Sequence, residues 1–244
     1  MSKSIFYIGP SGAGKTSAIR TLNPKETFIF NALAKELPWR GSAKQYTYWD
    51  KEKNPDGNMI KSSSAPAIIK WMLHISENLP HIKEIVIDDN TFVTSLELQR
   101  RKDESWSKYD VIVQNFLDIA DTSKKLRDDI NVHILHHTQV VGDGIIEDKT
   151  FKAMSYGKFI DEKLGTQEAQ FTIVLRAAKE VNGSDINYVF YTRDAASSTK
   201  TPFEMFSEDK IPNDLALVSK TIRCYYDEEG CEENEEVKPN KSNK

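Results

Sequence analysis

The feature that most narrows what this chain can fold into is the run Gly9, Pro10, Ser11, Gly12, Ala13, Gly14, Lys15 and Thr16, which completes the pattern G-x-x-x-x-G-K-T. It lies between an apolar run, Ser4 to Ile8, that reads as a strand and a segment, Lys15 to Leu22, that reads as a brief helix stopped by Asn23 and Pro24. Glycines in such a loop let the backbone wrap a phosphate with no side chain in the way, while N–H groups point inward at the start of the helix. Lys15 then reaches the terminal phosphates as a point charge, the Thr16 hydroxyl ligates magnesium, and Ser17 follows directly as a further contact. The implied ligand is a nucleoside triphosphate with its Mg2+.

A triphosphate and its cation also require a carboxylate, and Glu84 to Asp89 (EIVIDD) supplies one at the end of an apolar strand. Asp88 is the expected outer-sphere magnesium partner. Asp89 either orients or deprotonates the attacking water or, in the plainer reading, caps the next helix together with Asn90 and Thr91. Glu36, beyond the second strand, competes for the role of base. A third strand, Val132 to Thr138, ends in His136, His137, Thr138 and Gln139 at the depth expected for the γ-phosphate, so Gln139 or His137 is the preferred nucleotide sensor. Neighbouring strand residues face opposite ways, so His136 and His137 cannot both hold one metal.

Between these strands the pattern alternates. Thr27 to Phe30 is a second apolar run, and Lys35 to Ser64 reads as a long polar excursion with a turn at Pro55, Asp56 and Gly57; excursions of this length are often functional. Ser64 as N-cap and Pro66 in the first turn open a helix with Ile68, Ile69, Met72, Leu73 and Ile75 at helical spacing. A longer helical region carries Ile112, Phe116, Ile119 and Leu126 on one face. Strand and helix in alternation predict a mainly parallel sheet covered on both sides. After Gly144, Phe171 to Arg176 and Ile186 to Thr192 flank Asn182 and Gly183, a hairpin signal, and a final helix capped by Asp214 places Leu215, Val218, Ile222 and Tyr225 inward.

The chain has 244 residues, 39% hydrophobic and 29% charged, enough for one well-filled core. Residues 227–244 hold seven Asp or Glu against three Lys, which accounts for the whole net charge of -4. The reading is therefore one domain, residues 1–226, and an acidic disordered tail, residues 227–244. A neutral body argues against a broad positive surface for nucleic acid, while allowing a local basic groove or one assembled from several subunits. The two cysteines, Cys224 and Cys231, form no C-x-x-C pattern, and a reducing interior is the simplest setting. No apolar run approaches membrane-spanning length and no leader precedes the first strand, so the expected location is the cytoplasm, with no membrane partner.

Several of these strings together, GPSGAGKT, EIVIDDN and HILHHTQ, followed by FTIVLRA, YVFYTRD, STKTPFEMF and IPNDL, resemble the compact phage ATPases of the RecA/Rad51 core class associated with single-strand annealing and recombination. The resemblance covers about residues 3 to 226, and the hairpin followed by STKTPFEMF is its most particular part. It implies a RecA-like P-loop sheet with a C-terminal β-hairpin extension and final helix, ATP bound between subunits of a ring or filament, and action on single-stranded DNA in an infected bacterial host. A phage single-strand-binding protein or another recombination factor is the implied partner. Hydrolysis would draw a cation from the neighbouring subunit, and Arg193 and Lys200 match that placement. Relatives often carry an acid at the end of the second strand where this chain has Asn31, which leaves the identity of the base open.

Contact with DNA is expected along Val140 to Leu164, where Lys149, Lys152, Lys158 and Lys163 alternate with Phe151, Tyr156 and Phe159. Two rival functions remain. GPSGAGKT is also close to the phosphate loop of guanylate kinase, which makes a nucleoside monophosphate kinase-like phosphotransferase the enzymatic alternative. The other is a module that uses ATP as an assembly ligand with negligible turnover.

Overall fold

In a computed structural model of the chain, the structure describes residues 1–142, 150–155 and 166–226. The elements in order are β1 (Lys3–Gly9), α1 (Lys15–Ala18) continued by a 3-10 turn (Ile19–Thr21), β2 (Thr27–Asn31), α2 (Ser42–Gln45), β3 (Met59–Lys61), α3 (Ala65–Asn78) and β4 (Glu84–Asp88). Then come α4 (Asn90–Arg100), α5 (Ser107–Ser123), β5 (Asn131–Val141), β6 (Thr150–Ala153), β7 (Ile173–Asn182), β8 (Asp185–Tyr191), β9 (Lys210–Pro212) and α6 (Leu215–Tyr226).

The strands form one sheet in the order β3-β2-β4-β5-β1-β7-β8-β9, with β6 paired to β5. From β3 to β7 every pairing along that order is parallel; β8, β9 and β6 add on antiparallel. β5 thus lies between β1 and β4, so its polar end falls between the glycine-rich loop and the Asp88–Asp89 pair. Alternate residues sort to two cores, as the two-residue period of a strand requires. Phe6, Ile8, Phe28, Phe30, Ile85, Ile87 and Ile134 pack under α3 and α5, on Ile68, Met72, Ile75, Phe116 and Ile119. Ile5, Tyr7, Ile29, Val86 and Leu135 face the other way, onto α1, the excursion after β2, and Leu215, Val218 and Ile222 of α6. A fully buried side chain of this size contributes about 1.5–3 kcal/mol.

A buried polar cluster ties α6 to the sheet. Glu84 accepts hydrogen bonds from Ser219 (2.9 Å) and Arg223 (2.8 Å) and pairs with His133 Nε2 at 2.8 Å, while His133 Nδ1 meets the Tyr7 hydroxyl at 2.9 Å. Burial pushes the Glu84 carboxyl up, but His133 and Arg223 outweigh it and hold the group below the usual glutamate range. Removing Arg223 would leave the buried carboxylate without its guanidinium partner.

Some local expectations change. The excursion from Lys35 to Ser64 contains α2 and β3, the latter pairing in parallel with β2 through Ile29 and Met59. Leu73 is 42% exposed and Tyr225 is 40% exposed, its hydroxyl donating to the Phe203 carbonyl, so neither faces the core. Ser64 occupies the N-cap position of α3 without a side-chain capping bond, whereas Asp214 does cap α6, accepting from the Leu217 N–H at 2.9 Å. The tail 227–244 and the glycine at 144 lie outside the described residues. Among the described residues no helix is long and apolar enough to cross a membrane.

Candidate active site

β1 runs straight into the loop because Gly9 sits against the backbone of β7: a Cβ there would meet the Ala177 carbonyl oxygen at 2.7 Å. Gly12 and Gly14 have φ of 77° and 87°, the left-handed region that side chains avoid, and a Cβ on Gly14 would also strike the Tyr188 ring at 2.8 Å. The loop therefore takes its turn where glycine allows it, with β8 of the hairpin packed alongside. It opens onto a cleft of about 380 Å³ lined by Ser11 to Ser17, by Asn31, Lys35 and Glu36 after β2, by Asp88 and Asp89 after β4, and by His137 of β5. This is the carboxyl end of the parallel strands, where sheets of this kind bind ligands.

Lys15 is buried across the loop, its ammonium donating to the Gly9 carbonyl at 2.6 Å and the Pro10 carbonyl at 3.0 Å. Gly9 and Pro10 thus stand behind the lining and hold the lysine. Burial lowers its pKa to about 8, against the pull of Asp89 and Asp88. The Thr16 hydroxyl donates to Asp88 Oδ1 at 2.8 Å. Burial raises Asp88 to about 6; the Thr16 bond, Lys15 and Lys35 oppose the rise and the Asp89 charge adds to it. A half-buried hydroxyl and a buried carboxylate joined in this way are hard oxygen donors that suit Mg2+, with the carboxylate placed as the outer partner. Among the described residues no cluster of three or more His, Cys, Asp or Glu could hold a metal by itself, so a cation here would share its ligands with a bound phosphate.

Asp89 is held by strain and by one partner. Its φ is 69°, a left-handed conformation rare outside glycine, and it precedes α4 without a side-chain capping bond. Instead Asp89 Oδ2 meets His137 Nε2 at 2.9 Å, while Oδ1 is buried with no hydrogen-bond partner. The geometry therefore departs from the capping reading. His137 is fixed in turn, its backbone N–H donating to the Thr91 hydroxyl at 2.7 Å. His136 points the other way, its Nε2 at 2.8 Å from the Met154 carbonyl, and burial lowers its pKa to about 4, so it is neutral near pH 7.

Of the other residues read from the sequence, Glu36 is exposed at the cleft rim. Gln139 lies outside the cleft, paired with Lys152 where β5 meets β6. Arg193 forms an ion pair with Asp209 on the surface, and Lys200 bridges Val174 on the outer side of β7 with its side chain exposed. Neither lines the cleft of its own chain. In the segment singled out for DNA, Lys152 and Phe151 are half-buried, and the Arg176 guanidinium lies 4.9 Å from the Phe151 ring. Lys149, Tyr156, Lys158, Phe159 and Lys163 lie outside the described residues. Sequence reasoning missed Lys35, which reaches the cleft because Ala34 takes a left-handed φ of 55° just after β2. A lysine directly beside the Glu36 candidate was the available signal.

No protein-family model matches the chain, and comparison with curated proteins finds no match. Among solved structures, the KaiC-like protein PH0186 from the hyperthermophilic archaeon Pyrococcus horikoshii OT3 is similar at 14% identity and a TM-score of 0.47, over 86% of this chain and 88% of that one.

Proposed function

We propose that this chain is a RecA-like P-loop ATPase that binds Mg-ATP at the glycine-rich loop and hydrolyses it to ADP and phosphate while acting, as a homo-oligomer, on single-stranded DNA in phage recombination or annealing. The observation that carries the catalytic part is the meeting in one cleft of Lys15, the Thr16–Asp88 pair and the Asp89–His137 pair. Mg2+, when bound, neutralises phosphate charge. Lys15 exchanges its loop carbonyls for phosphate oxygens. Thr16 and Asp88 hold the cation's place. Asp89 presents its unpartnered oxygen to water, accepts the proton as general base, and is kept in position by His137.

The DNA and oligomer parts rest on the sequence resemblance. Arg193 and Lys200, remote from their own cleft, suit a role across a subunit boundary. The kinase alternative is weakened by the absence, among the described residues, of any arginine lining the cleft. Phosphate release and particle size measured in parallel, with and without single-stranded DNA, test the reading. A rise in both on adding DNA is expected, and Mg-ATP hydrolysis indifferent to DNA would overturn the DNA part. Transfer of phosphate to a nucleoside monophosphate would replace it with the kinase.

A further inference from the structure

The excursion between β2 and α3 plays no part in the catalysis proposed above except through the residues nearest β2, yet among the described residues it builds a cleft larger than the one at the glycine-rich loop. A space of about 600 Å³ lies between its distal half and α3, bounded below by the segments that enter β2 and β4. Asn23, Pro24 and Lys25 precede β2, and His81 and Ile82 precede β4. Because β2, β4, β5 and β1 are parallel, this cleft opens at the amino end of the strands, opposite the glycine-rich loop.

Its wall is aromatic. The Trp49 ring, from the excursion, meets Trp71 of α3 edge to face with centroids 4.8 Å apart, and Trp71 stacks on Phe28 at 5.4 Å. Both tryptophans are only half-buried, and neither indole N–H has a hydrogen-bond acceptor among the described residues. Two large aromatic side chains half-open to a cleft, each with an unused donor, cost burial that a core position would have supplied.

The rim is cationic. Lys25 and Lys44 are exposed on the cleft, and neither forms an ion pair among the described residues. His74 and His81 also line the space, His74 lying edge-on to Trp71 with centroids 5.5 Å apart and its Nδ1 3.1 Å from the Asn78 amide. Among the described residues Asp56 is the one acid lining the space. An indole with a spare N–H donor in a cleft that also carries unpaired ammonium groups is a combination that takes a nucleobase against the ring and its phosphate against the cation.

From this we infer that the cleft formed by Trp49, Trp71, Lys25 and Lys44 is a binding site for single-stranded nucleic acid, a base resting on Trp49 and phosphates on the two lysines. The inference deepens the proposed action on single-stranded DNA and rests on it, while moving the contact away from the segment between Val140 and Leu164. It places the strand and the nucleotide at opposite ends of the same parallel sheet.

The test is fluorescence anisotropy of labelled oligothymidylate titrated with the full-length chain, for the wild type, Lys25→Glu/Lys44→Glu, Lys25→Arg/Lys44→Arg and Trp49→Ala. Charge reversal should weaken binding by about tenfold or more and lower the slope of affinity against salt, as lost phosphate contacts do. The arginine pair should bind like wild type, and Trp49→Ala should lose about tenfold through stacking. Calorimetric affinity for Mg-ATP should stay unchanged in all of them, which separates a lost contact from a lost fold. Wild-type binding that survives charge reversal within about twofold overturns the cleft alone. No binding by the wild type overturns both the cleft and the DNA reading. Thymidine monophosphate competing as well as the oligomer, nucleotide for nucleotide, overturns the assignment to a strand.

Discussion

Replacing Asp88 by Asn should make the ligand-free protein more stable while removing its grip on Mg-ATP. Burial raises this carboxyl from 3.8 to about 6, so at pH 7 the fold contains a charge it would be better without. At 1.36 kcal/mol per pKa unit the cost is about 3 kcal/mol at pH 7. The sign follows from proton binding: the folded state holds the proton more tightly than the unfolded chain between pH of about 4 and about 6. Wild-type stability from this group therefore increases as pH falls through that window, and the handicap shrinks to about 1.5 kcal/mol at pH 5 and about 0.5 kcal/mol at pH 4. Asn keeps an oxygen for the Thr16 hydroxyl but carries no charge. Urea unfolding of both proteins at pH 7, 5 and 4, without nucleotide, measures the difference, and Mg-ATP calorimetry at pH 7 measures the lost affinity. A variant no more stable than wild type at pH 7, or a gain that does not change with pH, would refute the reasoning.

Four further outcomes follow from the same geometry. Lys15→Ala should weaken Mg-ATP binding by about 10- to 100-fold in calorimetry, the worth of charge-assisted hydrogen bonds, with the fold intact by circular dichroism. Asp89→Asn, which tolerates the left-handed backbone, should cut hydrolysis by about 10²- to 10⁴-fold with little change in nucleotide affinity; normal single-turnover rates would remove Asp89 as the base. Lys200→Ala should spare binding and stop hydrolysis if the catalytic cation crosses a subunit boundary, and normal steady-state turnover would show that it does not. Gly9→Ala should lower the urea midpoint, because backbone of β7 and not a flexible side chain stands 2.7 Å from the new carbon.

Much of the sheet could be read in advance because its strands advertise themselves locally. Glu84 to Asp88 is apolar between charged ends, and Asn182–Gly183 marks the hairpin that β7 and β8 form. β3 could not be read: Met59 and Ile60 are two apolar residues in a polar stretch, and they become a strand only because β2, thirty positions earlier in the register, offers an open edge. Leu73 and Tyr225 fit the helical period of their elements but fall where no neighbouring layer covers them. In the site, the loop, Thr16 and Asp88 follow from a motif whose spacing is itself the geometry. The Asp89–His137 pair does not, since forty-eight residues separate its members and only the insertion of β5 beside β4 brings them together. Gln139 shares a face with His137 but lies two residues further along β5, where the strand has already turned to pair with β6.

The seat of Tyr188 on Gly14 gives the molecule a mechanical linkage. The aromatic edge and the glycine are near-touching parts of two bodies, a projecting two-stranded arm and the turn that would grip a polyphosphate. A load on the arm at its exposed Val181 and Ile186 would reach the residue next to Lys15 through that contact. An arm that leaned away would free that turn to loosen, and an arm pressed home would stiffen it.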